Sequence, residues 1–219
     1  MGAALGRCVI LGGGEIADDA AILARLRPQD CVFCADSGYD HCTRLGLVPQ
    51  LLVGDFDSVQ TALPEGVPRI TLPREKDDSD TTYAMRLAVE RGYRELLLIG
   101  MLGGRLDHTL GNLQNLIWLC RRGIKASLTD GCTEVSVLAG GERCTLLPQK
   151  RRYFSLLSLS ERCEGVTISN AKYPLHNGTL TNDIPFAVSN EFLEVPVQIS
   201  LHSGLLALLI TPKDIKNKD

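Results

Sequence analysis

The stretch Leu51-Leu52-Val53-Gly54-Asp55-Phe56-Asp57-Ser58 is an apolar run that ends at a glycine and then places a carboxylate on each side of an aromatic residue. In an extended backbone alternate side chains share a face, so Asp55 and Asp57 would point one way and Phe56 the other, into packing. Two neighbouring carboxylates repel unless a cation lies between them, and oxygen ligands favour a hard cation such as Mg²⁺. The alternative interpretation is a strand end followed by an acidic turn, because Asp and Ser are common turn residues.

Strand-like and helix-like patterns alternate on both sides of this stretch. Short apolar runs occupy residues 7–11, 31–35, 69–72 and 96–99, and residues with helical spacing separate several of them. This alternation is typical of a mostly parallel sheet with helices on both faces, in which ligands bind at the carboxyl ends of the strands. Those ends carry polar or glycine-rich segments: Gly12-Gly13-Gly14, Asp36-Ser37-Gly38, Asp55-Phe56-Asp57 and Gly103-Gly104-Arg105.

The pattern changes after Thr129-Asp130-Gly131. Short strand-like runs follow one another without convincing helices, and turn signals such as Ala139-Gly140-Gly141-Glu142 and His176-Asn177-Gly178 separate them. This pattern indicates an all-β sandwich or small barrel. We therefore predict an α/β fold, with a doubly wound, mostly parallel sheet in residues 1–138, followed by a smaller all-β sandwich domain in residues 139–219.

Composition narrows the class of protein. The formal net charge of -3, from 23 basic and 26 acidic side chains, does not favour nucleic acid or an anionic membrane as a partner. No apolar run approaches the roughly 20 residues of a membrane-spanning helix, and no secretory signal is evident, so we expect a cytoplasmic protein with reduced cysteines. Cys31 and Cys34 form one C-x-x-C, which we interpret as part of a buried strand rather than a metal or redox site.

Two enzyme classes compete for the glycine-rich turn. Gly12-x-Gly14-x-x-Ala17, with Asp36 after the next strand, is a weak match to a dinucleotide-binding fingerprint, and a tight turn that binds nothing is the alternative. If phosphate binds there, the backbone N–H groups around Gly13 would hold it. An oxidoreductase leaves the acids and Arg105 without a role. Phosphoryl or pyrophosphoryl transfer uses both, since carboxylates hold magnesium and an arginine neutralises the transferred group.

The second informative stretch is Gly103-Gly104-Arg105-Leu106-Asp107-His108-Thr109-Leu110-Gly111-Asn112. Its glycines allow a close approach of the backbone, and Asp107 is suited to cap the following helix. His108 and Asn112 share one helix face because they are four residues apart. The alternative is a capped helix with a solvent-facing polar side.

Taken in order, the motifs resemble those of the thiamine pyrophosphokinase family over nearly the whole chain. The motifs are Asp36-Ser37-Gly38, Gly54-Asp55-Phe56-Asp57-Ser58, Lys76-Asp77-Asp78-Ser79-Asp80, Gly104-Arg105-Leu106-Asp107-His108 with Asn112, and Val188-Ser189-Asn190-Glu191-Phe192. The resemblance implies a homodimer with sites shared between chains, in which an α/β nucleotide-binding domain precedes a β-sandwich. It also implies transfer of the diphosphate of ATP to the hydroxyethyl oxygen of thiamine, giving thiamine diphosphate and AMP, with Mg²⁺ required.

The resemblance also assigns roles to individual residues. Asp55, Asp57 and Asp80 match the magnesium-binding acids, and with Arg105 they form the predicted catalytic set. The family positions that line the nucleotide and diphosphate site are matched by Asp36, Arg105, Asp107, His108 and Asn112. Our predicted set for that site also includes Gly13, Ser37 and Asp77. Ser189 and Asn190 match the motif that contacts thiamine. Tyr173 lies near an aromatic that stacks on thiamine in some relatives, and a packed strand tyrosine is the alternative.

This sequence departs from the family pattern at a few positions. Ser79 stands where threonine is common and keeps the hydroxyl, Glu75 stands where many relatives have Asp, and Ser37 where several have glycine. Two other functions stay open at this point. One is the nicotinamide-dependent oxidoreductase that the glycine turn suggests, and the other is a nucleotide or thiamine sensor without turnover, which the retained acids argue against.

Overall fold

The computed structural model describes residues 5–73, 75 and 79–213, and it divides the chain into two units, residues 1–132 and 133–219. We predicted the boundary after residue 138. The strand Glu134–Ala139 lies instead in the second unit, because it pairs along its whole length with the strand Leu205–Pro212. A backbone segment is held by the ladder that its N–H and C=O groups join, and this ladder belongs to the second unit.

The first unit contains a parallel sheet and four helices. The strands are β1 (Cys8–Leu11), β2 (Cys31–Ala35), β3 (Leu51–Gly54), β4 (Arg69–Thr71), β5 (Glu95–Ile99) and β6 (Lys125–Thr129). The helices are α1 (Asp19–Leu23), α2 (Gly38–Arg44), α3 (Asp80–Glu90) and α4 (Leu106–Cys120). Within this unit the strand order is β6-β5-β1-β2-β3-β4, and every neighbouring pair is parallel, which confirms the predicted fold class.

The strand order explains where ligands can bind. From β1 the chain adds β2, β3 and β4 on one side, and it then returns to add β5 and β6 on the other. The connections from β1 to β2 and from β5 to β6 therefore run to opposite sides, which opens a crevice at the carboxyl ends of β1 and β5. Both strands are almost wholly buried, as expected for apolar runs in a sheet covered on both faces. β6 was not predicted, because Lys125, Ala126 and Ser127 interrupt its apolar pattern.

The second unit consists of two antiparallel sheets. Its strands are β7 (Glu134–Ala139), β8 (Arg143–Leu146), β9 (Arg152–Ser158), β10 (Arg162–Ser169), β11 (Leu175–Thr181), β12 (Ala187–Glu191), β13 (Val197–Ser200) and β14 (Leu205–Pro212). Their order is β12-β9-β14-β7 in one sheet and β11-β10-β13-β8 in the other. Phe154 and Leu206 of the first sheet share a buried apolar cluster with Val166 and Ile199 of the second. This arrangement is the predicted sandwich.

The Asn177-Gly178 signal was interpreted wrongly. Both residues lie inside β11 rather than in a hairpin turn, and the ladder between β10 and β11 is irregular beside them. Asn177 has a positive φ of 49°, a conformation that Asn tolerates better than most residues, so a strand irregularity and a turn favour the same residue types. Among the described residues, no helix is long and apolar enough to span a bilayer.

Candidate active site

Two glycine-containing turns meet at the crevice of the first unit. The Gly12 amide donates to the Ile99 carbonyl (2.8 Å), and the Gly14 amide donates to the Gly100 carbonyl (2.7 Å). A Cβ atom on Gly14 would lie 2.7 Å from the Gly100 oxygen, so this contact requires glycine. Close packing of the two turns thus accounts for Gly12-x-Gly14 without a dinucleotide.

The acidic stretch is a turn rather than an extension of β3. β3 ends at Gly54, and Phe56 adopts a left-handed conformation with φ of 61°. The alternation of side chains that we assumed for Asp55 and Asp57 is therefore wrong. The backbone N–H of Asp57 donates to Asp55 Oδ1 (3.2 Å), a contact typical of a turn that Asp initiates. Phe56 packs against the apolar core, as predicted.

Three carboxylates nevertheless converge at this turn. Asp36, Asp55 and Asp57 each offer an oxygen within 4.8 Å of the others. Asp36 follows β2, which pairs in parallel with β3, so the two strands deliver their acids to the same edge of the sheet. We had placed Asp36 in the nucleotide site and had chosen Asp80 as the third metal ligand. The signal for Asp36 was its position immediately after the neighbouring strand.

The donors of this cluster fit a hard cation. The Ser58 hydroxyl donates to Asp36 Oδ2, whereas Asp36 Oδ1 is buried and accepts no hydrogen bond within the described part of the chain. A buried carboxylate oxygen without a partner is costly unless a cation or proton satisfies it. Three carboxylates in mutual reach provide the oxygen ligands that Mg²⁺ prefers.

A cavity of about 870 Å³ opens at the same end of the sheet. The predicted residues on its lining are Gly13, Asp36, Ser37, Asp80, Arg105, Asp107, His108 and Asn112. Asp36 belongs to both the acid cluster and the cavity, whereas Asp80, the first residue of α3, lines the cavity without joining the cluster among the described residues. Asp77 lies outside the described residues. Arg86 and Trp118 also line the cavity, and sequence patterns did not single them out.

The N-terminus of α3 and the turn after β2 shape one side of this cavity. Ser79 is the N-cap of α3, and its hydroxyl accepts a hydrogen bond from the Thr82 amide (3.2 Å). Ser37 Oγ lies so close to Gly13 that a Cβ atom there would be 2.0 Å away. The serine that replaces glycine in this chain therefore packs its hydroxyl directly on the glycine turn.

Arg105 and Asp107 are paired at the rim of the cavity. Arg105 Nε lies 3.2 Å from Asp107 Oδ1, and Nη2 lies 2.6 Å from Oδ2. This pairing lowers the pKa of Asp107 and raises that of Arg105, chiefly through the hydrogen bond between them. Arg105, rather than Asp107, is the N-cap residue of α4. Because both side chains are more than half exposed, the guanidinium is able to exchange this partner for a phosphate.

Asn112 holds the turn after β5 against α4. It is 8% exposed, and its Nδ2 donates to the Met101 carbonyl (2.9 Å). Asn115 Nδ2 lies 3.0 Å from Thr82 Oγ1, which links α4 to α3. These polar contacts join α4 to the turn after β5 and to α3, all of which border the cavity.

Tyr173 and Asn190, two of the three predicted thiamine-contacting residues, line a second, smaller cavity of about 270 Å³ within the second unit, whereas Ser189 is not on its lining. Tyr173, Phe186, Val188 and Asn190 are on its lining, and the Tyr173 and Phe186 side chains are 57% and 71% exposed. Ser189 is an exposed residue with φ of 59°, and its backbone N–H donates to Ser155 Oγ (2.9 Å). The cavity therefore offers an aromatic and apolar surface to a ligand.

The Asn190 side chain is fixed by the backbone of Tyr173. Its Oδ1 accepts from the Tyr173 amide (3.1 Å), and its Nδ2 donates to the Tyr173 carbonyl (2.7 Å). Asn190 is 4% exposed. Asn190 therefore holds the Tyr173 backbone in place, and both polar ends of its side-chain amide are engaged in these hydrogen bonds.

Together these features define a class of protein, an α/β domain with an acidic, glycine-bordered cavity joined to a β-sandwich with an aromatic cavity. Residues 24–128 match the family model described as "Thiamin pyrophosphokinase, catalytic domain", and residues 143–206 match "Thiamin pyrophosphokinase, vitamin B1 binding domain". The chain is 30% identical over 169 residues to thiamine pyrophosphokinase of Bacillus subtilis (strain 168), covering 75% of this chain and 79% of that protein. The chain belongs to the thiamine pyrophosphokinase family.

Solved structures agree with this assignment. The crystal structure of thiamine pyrophosphokinase from Bacillus subtilis superposes with a TM-score of 0.85 at 25% identity, covering 95% of this chain and 100% of that one. The thiamin pyrophosphokinase from Geobacillus thermodenitrificans gives a TM-score of 0.83 at 26% identity, covering 97% and 99%. The yeast enzyme, at 16% identity and a TM-score of 0.74 over 95% of this chain and 87% of that one, shares the fold.

Proposed function

We propose that this protein transfers the diphosphate group of ATP to the hydroxyethyl oxygen of thiamine, with Mg²⁺ held at the acid cluster, and releases AMP. Its membership in the thiamine pyrophosphokinase family makes it an enzyme of thiamine diphosphate synthesis from thiamine and ATP. The observation that carries the mechanism is the convergence of Asp36, Asp55 and Asp57 beside a cavity that Arg105 also borders.

The metal site would be formed by carboxylates alone. Asp55 and Asp57 keep their predicted role, Asp36 joins them, and Asp80 faces the same cavity from the start of α3. When bound, Mg²⁺ would neutralise phosphate oxygens and so favour attack on the β-phosphorus. Asp36 Oδ1, which is buried and has no hydrogen-bond partner among the described residues, is the feature that most directly supports a cation there.

The remaining residues would bind and orient the two substrates. Backbone N–H groups at Gly13 and the side chain of Arg105 would contact the phosphates, with His108 and Asn112 on the same wall. In the transfer the thiamine hydroxyl oxygen forms a bond to the β-phosphorus while the bond to the α-phosphate oxygen breaks. AMP leaves with that electron pair, and a carboxylate of the cluster accepts the alcohol proton.

Thiamine would bind at the cavity of the second unit. The exposed ring of Tyr173 offers a stacking surface, and Asn190 holds the Tyr173 backbone in position for it. Ser189, exposed and adjacent, would supply a polar contact. In this proposal the first unit serves nucleotide binding and catalysis, and the second unit, which includes β7, serves thiamine binding.

We also propose that two copies of the chain form a homodimer in which each site uses the nucleotide-binding residues of one chain and the thiamine-binding residues of the other. Exposed apolar side chains in each unit support association: Leu106 and Leu110 in the first, and Ile184 and Phe186 in the second. We also propose a cytoplasmic location, supported by eight cysteines of which none forms a disulfide.

The deciding experiment is incubation with Mg²⁺, ATP and thiamine, followed by separation of the nucleotides and thiamine phosphates. We expect AMP and thiamine diphosphate in equal amounts, because the β-phosphorus is attacked. Formation of ADP with thiamine monophosphate would contradict the mechanism. Tight binding of both ligands without any product would favour a sensor.

A further inference from the structure

A histidine outside the motifs described above contacts the glycine turn. His41 lies in α2, and its Nε2 is 2.7 Å from the carbonyl oxygen of Gly14. Its other ring nitrogen, Nδ1, is 3.0 Å from Nη2 of Arg44. Both ring nitrogens therefore have a partner, and the two partners differ in kind.

The chemistry of these partners determines where the imidazole carries its proton. A guanidinium only donates hydrogen bonds, and a backbone carbonyl only accepts them. Nδ1 must therefore accept from Arg44, and Nε2 must carry the hydrogen that it donates to Gly14. Only the neutral ring with its proton on Nε2 satisfies both contacts, because a protonated ring would turn an N–H toward the guanidinium.

An ion pair holds Arg44 in the orientation that this arrangement needs. Arg44 Nη1 contacts Oδ2 of Asp19, the first residue of α1. Asp19, Arg44 and His41 thus form a chain of contacts that ends on the Gly14 carbonyl. The pair is partly exposed, so it orients the guanidinium rather than adding much stability.

The contact matters because Gly14 is on the lining of the large cavity. Its amide is already held by the Gly100 carbonyl, so the hydrogen bond from His41 fixes the other side of the same residue. A carbonyl oxygen carries partial negative charge and would repel a phosphate if it turned toward the cavity. Because the N–H groups of Gly12 and Gly14 already donate to Ile99 and Gly100, a donor that keeps this oxygen engaged leaves the Gly13 N–H as the group of this turn that would meet an anion.

We propose that His41 is a positioning residue for the phosphates of ATP, acting through the Gly14 carbonyl as a neutral ring with its proton on Nε2. The identity of the ligand rests on the proposed function. The position of the proton on His41 and the effect of His41 on the glycine turn do not rest on the proposed function. The role of His41 and the proposed function can therefore be tested separately.

The proton position is measured by NMR on protein labelled with ¹⁵N at its four histidines. Long-range ¹H–¹⁵N correlation at about pH 7.5 distinguishes a protonated from an unprotonated ring nitrogen, and loss of a signal in His41→Gln assigns it. We expect Nε2 protonated and Nδ1 unprotonated. The opposite tautomer, or a doubly protonated ring, would overturn the proposal.

The effect on ATP is measured with a matched pair of variants. In His41→Gln the side-chain amide nitrogen lies close to where Nε2 was and is able to donate to Gly14. In His41→Asn the shorter side chain does not reach it. We expect the KM for ATP to rise about tenfold in His41→Asn and less than about threefold in His41→Gln, with the KM for thiamine and kcat nearly unchanged.

Several outcomes would contradict this expectation. Equal effects of the two variants, or parallel changes in both KM values, would indicate a general structural role. If His41→Asn does not fold, Arg44→Gln provides the test, because loss of the guanidinium should weaken ATP binding about threefold and allow both tautomers. An unchanged tautomer and ATP affinity in Arg44→Gln would then overturn the proposal.

Titration of Mg-ATP in the absence of thiamine separates this inference from the proposed function. A protein that binds ATP through His41 but forms no thiamine diphosphate would disprove the proposed reaction and leave the role of His41 intact. If the protein forms thiamine diphosphate but its affinity for ATP does not depend on His41, the proposed reaction stands and the role of His41 is disproved. A protein that binds no ATP at all would overturn both.

Discussion

Asp36, Asp55 and Asp57 concentrate negative charge at one point of the first unit. At separations below 5 Å, each close pair of ionised carboxylates costs on the order of 1 kcal/mol even with strong solvent screening. A bound cation would offset this repulsion. The cluster should therefore be a place where function and stability oppose each other.

Neutralising one of these acids tests that opposition. For Asp57→Asn we expect the melting temperature of the metal-free protein to hold or rise slightly, because repulsion is relieved. Turnover should fall by about 100-fold or more through loss of a magnesium ligand. Melting and steady-state turnover at saturating Mg²⁺ are measured on one preparation, with Glu161→Gln, an exposed acid of the second unit, as the control. Near-normal turnover in Asp57→Asn would remove the acidic stretch from the active site.

Asn190 acts on the proposed thiamine site indirectly, through the backbone of Tyr173. Its motif resembles one that contacts thiamine, yet both ends of its amide are engaged with the backbone of Tyr173. Replacing it would remove the two hydrogen bonds to the N–H and C=O of Tyr173, at a cost of about 1 kcal/mol each. A loss of thiamine binding in such a variant would thus reflect the position of Tyr173.

At the scale of elements, the turns that leave β1 and β5 depend on glycine for their close contact. Gly100 has φ of 67°, and a Cβ atom there would lie 2.5 Å from the Gly12 carbonyl oxygen. Gly46, after α2, has the same φ with open space around it. Alanine at either position carries the cost of a left-handed backbone, about 1 kcal/mol, but only Gly100 adds a backbone clash.

This pair of glycines yields a prediction with an internal control. Gly46→Ala should lower the free energy of unfolding by about 1 kcal/mol, and Gly100→Ala by at least about 3 kcal/mol, because the two turns must move apart. Urea unfolding of both variants measures the difference. Equal losses would show that the contact between the turns is not tight.

The segment after the acidic stretch is held by α2. Asp40 accepts hydrogen bonds from the backbone N–H groups of Gln60 (3.1 Å) and Thr61 (2.8 Å). Partial burial opposes ionisation of Asp40, but the Thr61 hydroxyl and these two N–H groups outweigh it, so the pKa of Asp40 is lowered. The ionised carboxylate therefore stabilises the fold above the unfolded-state pKa of about 4, and that contribution is lost as the pH falls through the lower folded-state pKa.

We accordingly expect Asp40→Asn to be less stable than the unmutated protein by about 1 kcal/mol near pH 7, with the difference shrinking below about pH 4. Urea unfolding at several pH values gives this comparison. Glu65→Gln, an exposed acid in the neighbouring segment, serves as the control and should show no such change. A difference that stays constant down to about pH 3 would mean that the charge on Asp40 is not its source.

At the scale of the whole molecule, the residues proposed for ATP and for thiamine belong to different units. If each site combines two chains, an inactive chain with Asp57→Asn and an inactive chain with Tyr173→Ala and Ser189→Ala should complement each other. Random pairing makes about half of the dimers mixed, each with one intact site of two, so about a quarter of normal activity should return. Asn190 is left unchanged because it supports the backbone. A mixture as inactive as its components would place each site within one chain.

Much of this protein follows from local patterns in the sequence. Apolar runs that alternate with helical spacing specify the parallel sheet, and the loss of that alternation after Gly131 specifies the sandwich, because burial of apolar surface depends on periodicity that is local in the chain. The position of the site follows as well, since the carboxyl ends of parallel strands meet at one edge. The order of the acidic and arginine motifs was enough to indicate the family.

Other features arose only from tertiary structure. Asp36 joins Asp55 and Asp57 because β2 and β3 pair side by side, and β7 belongs to the second unit because β14 pairs with it. The hydrogen bonds of Asn190 with Tyr173 and of His41 with Gly14 each need a partner distant in sequence. The left-handed turn at Phe56 depends on a backbone conformation that surrounding contacts stabilise. Local patterns specify which surfaces are buried, whereas the partner of a polar group is decided by strand pairing and packing across the fold.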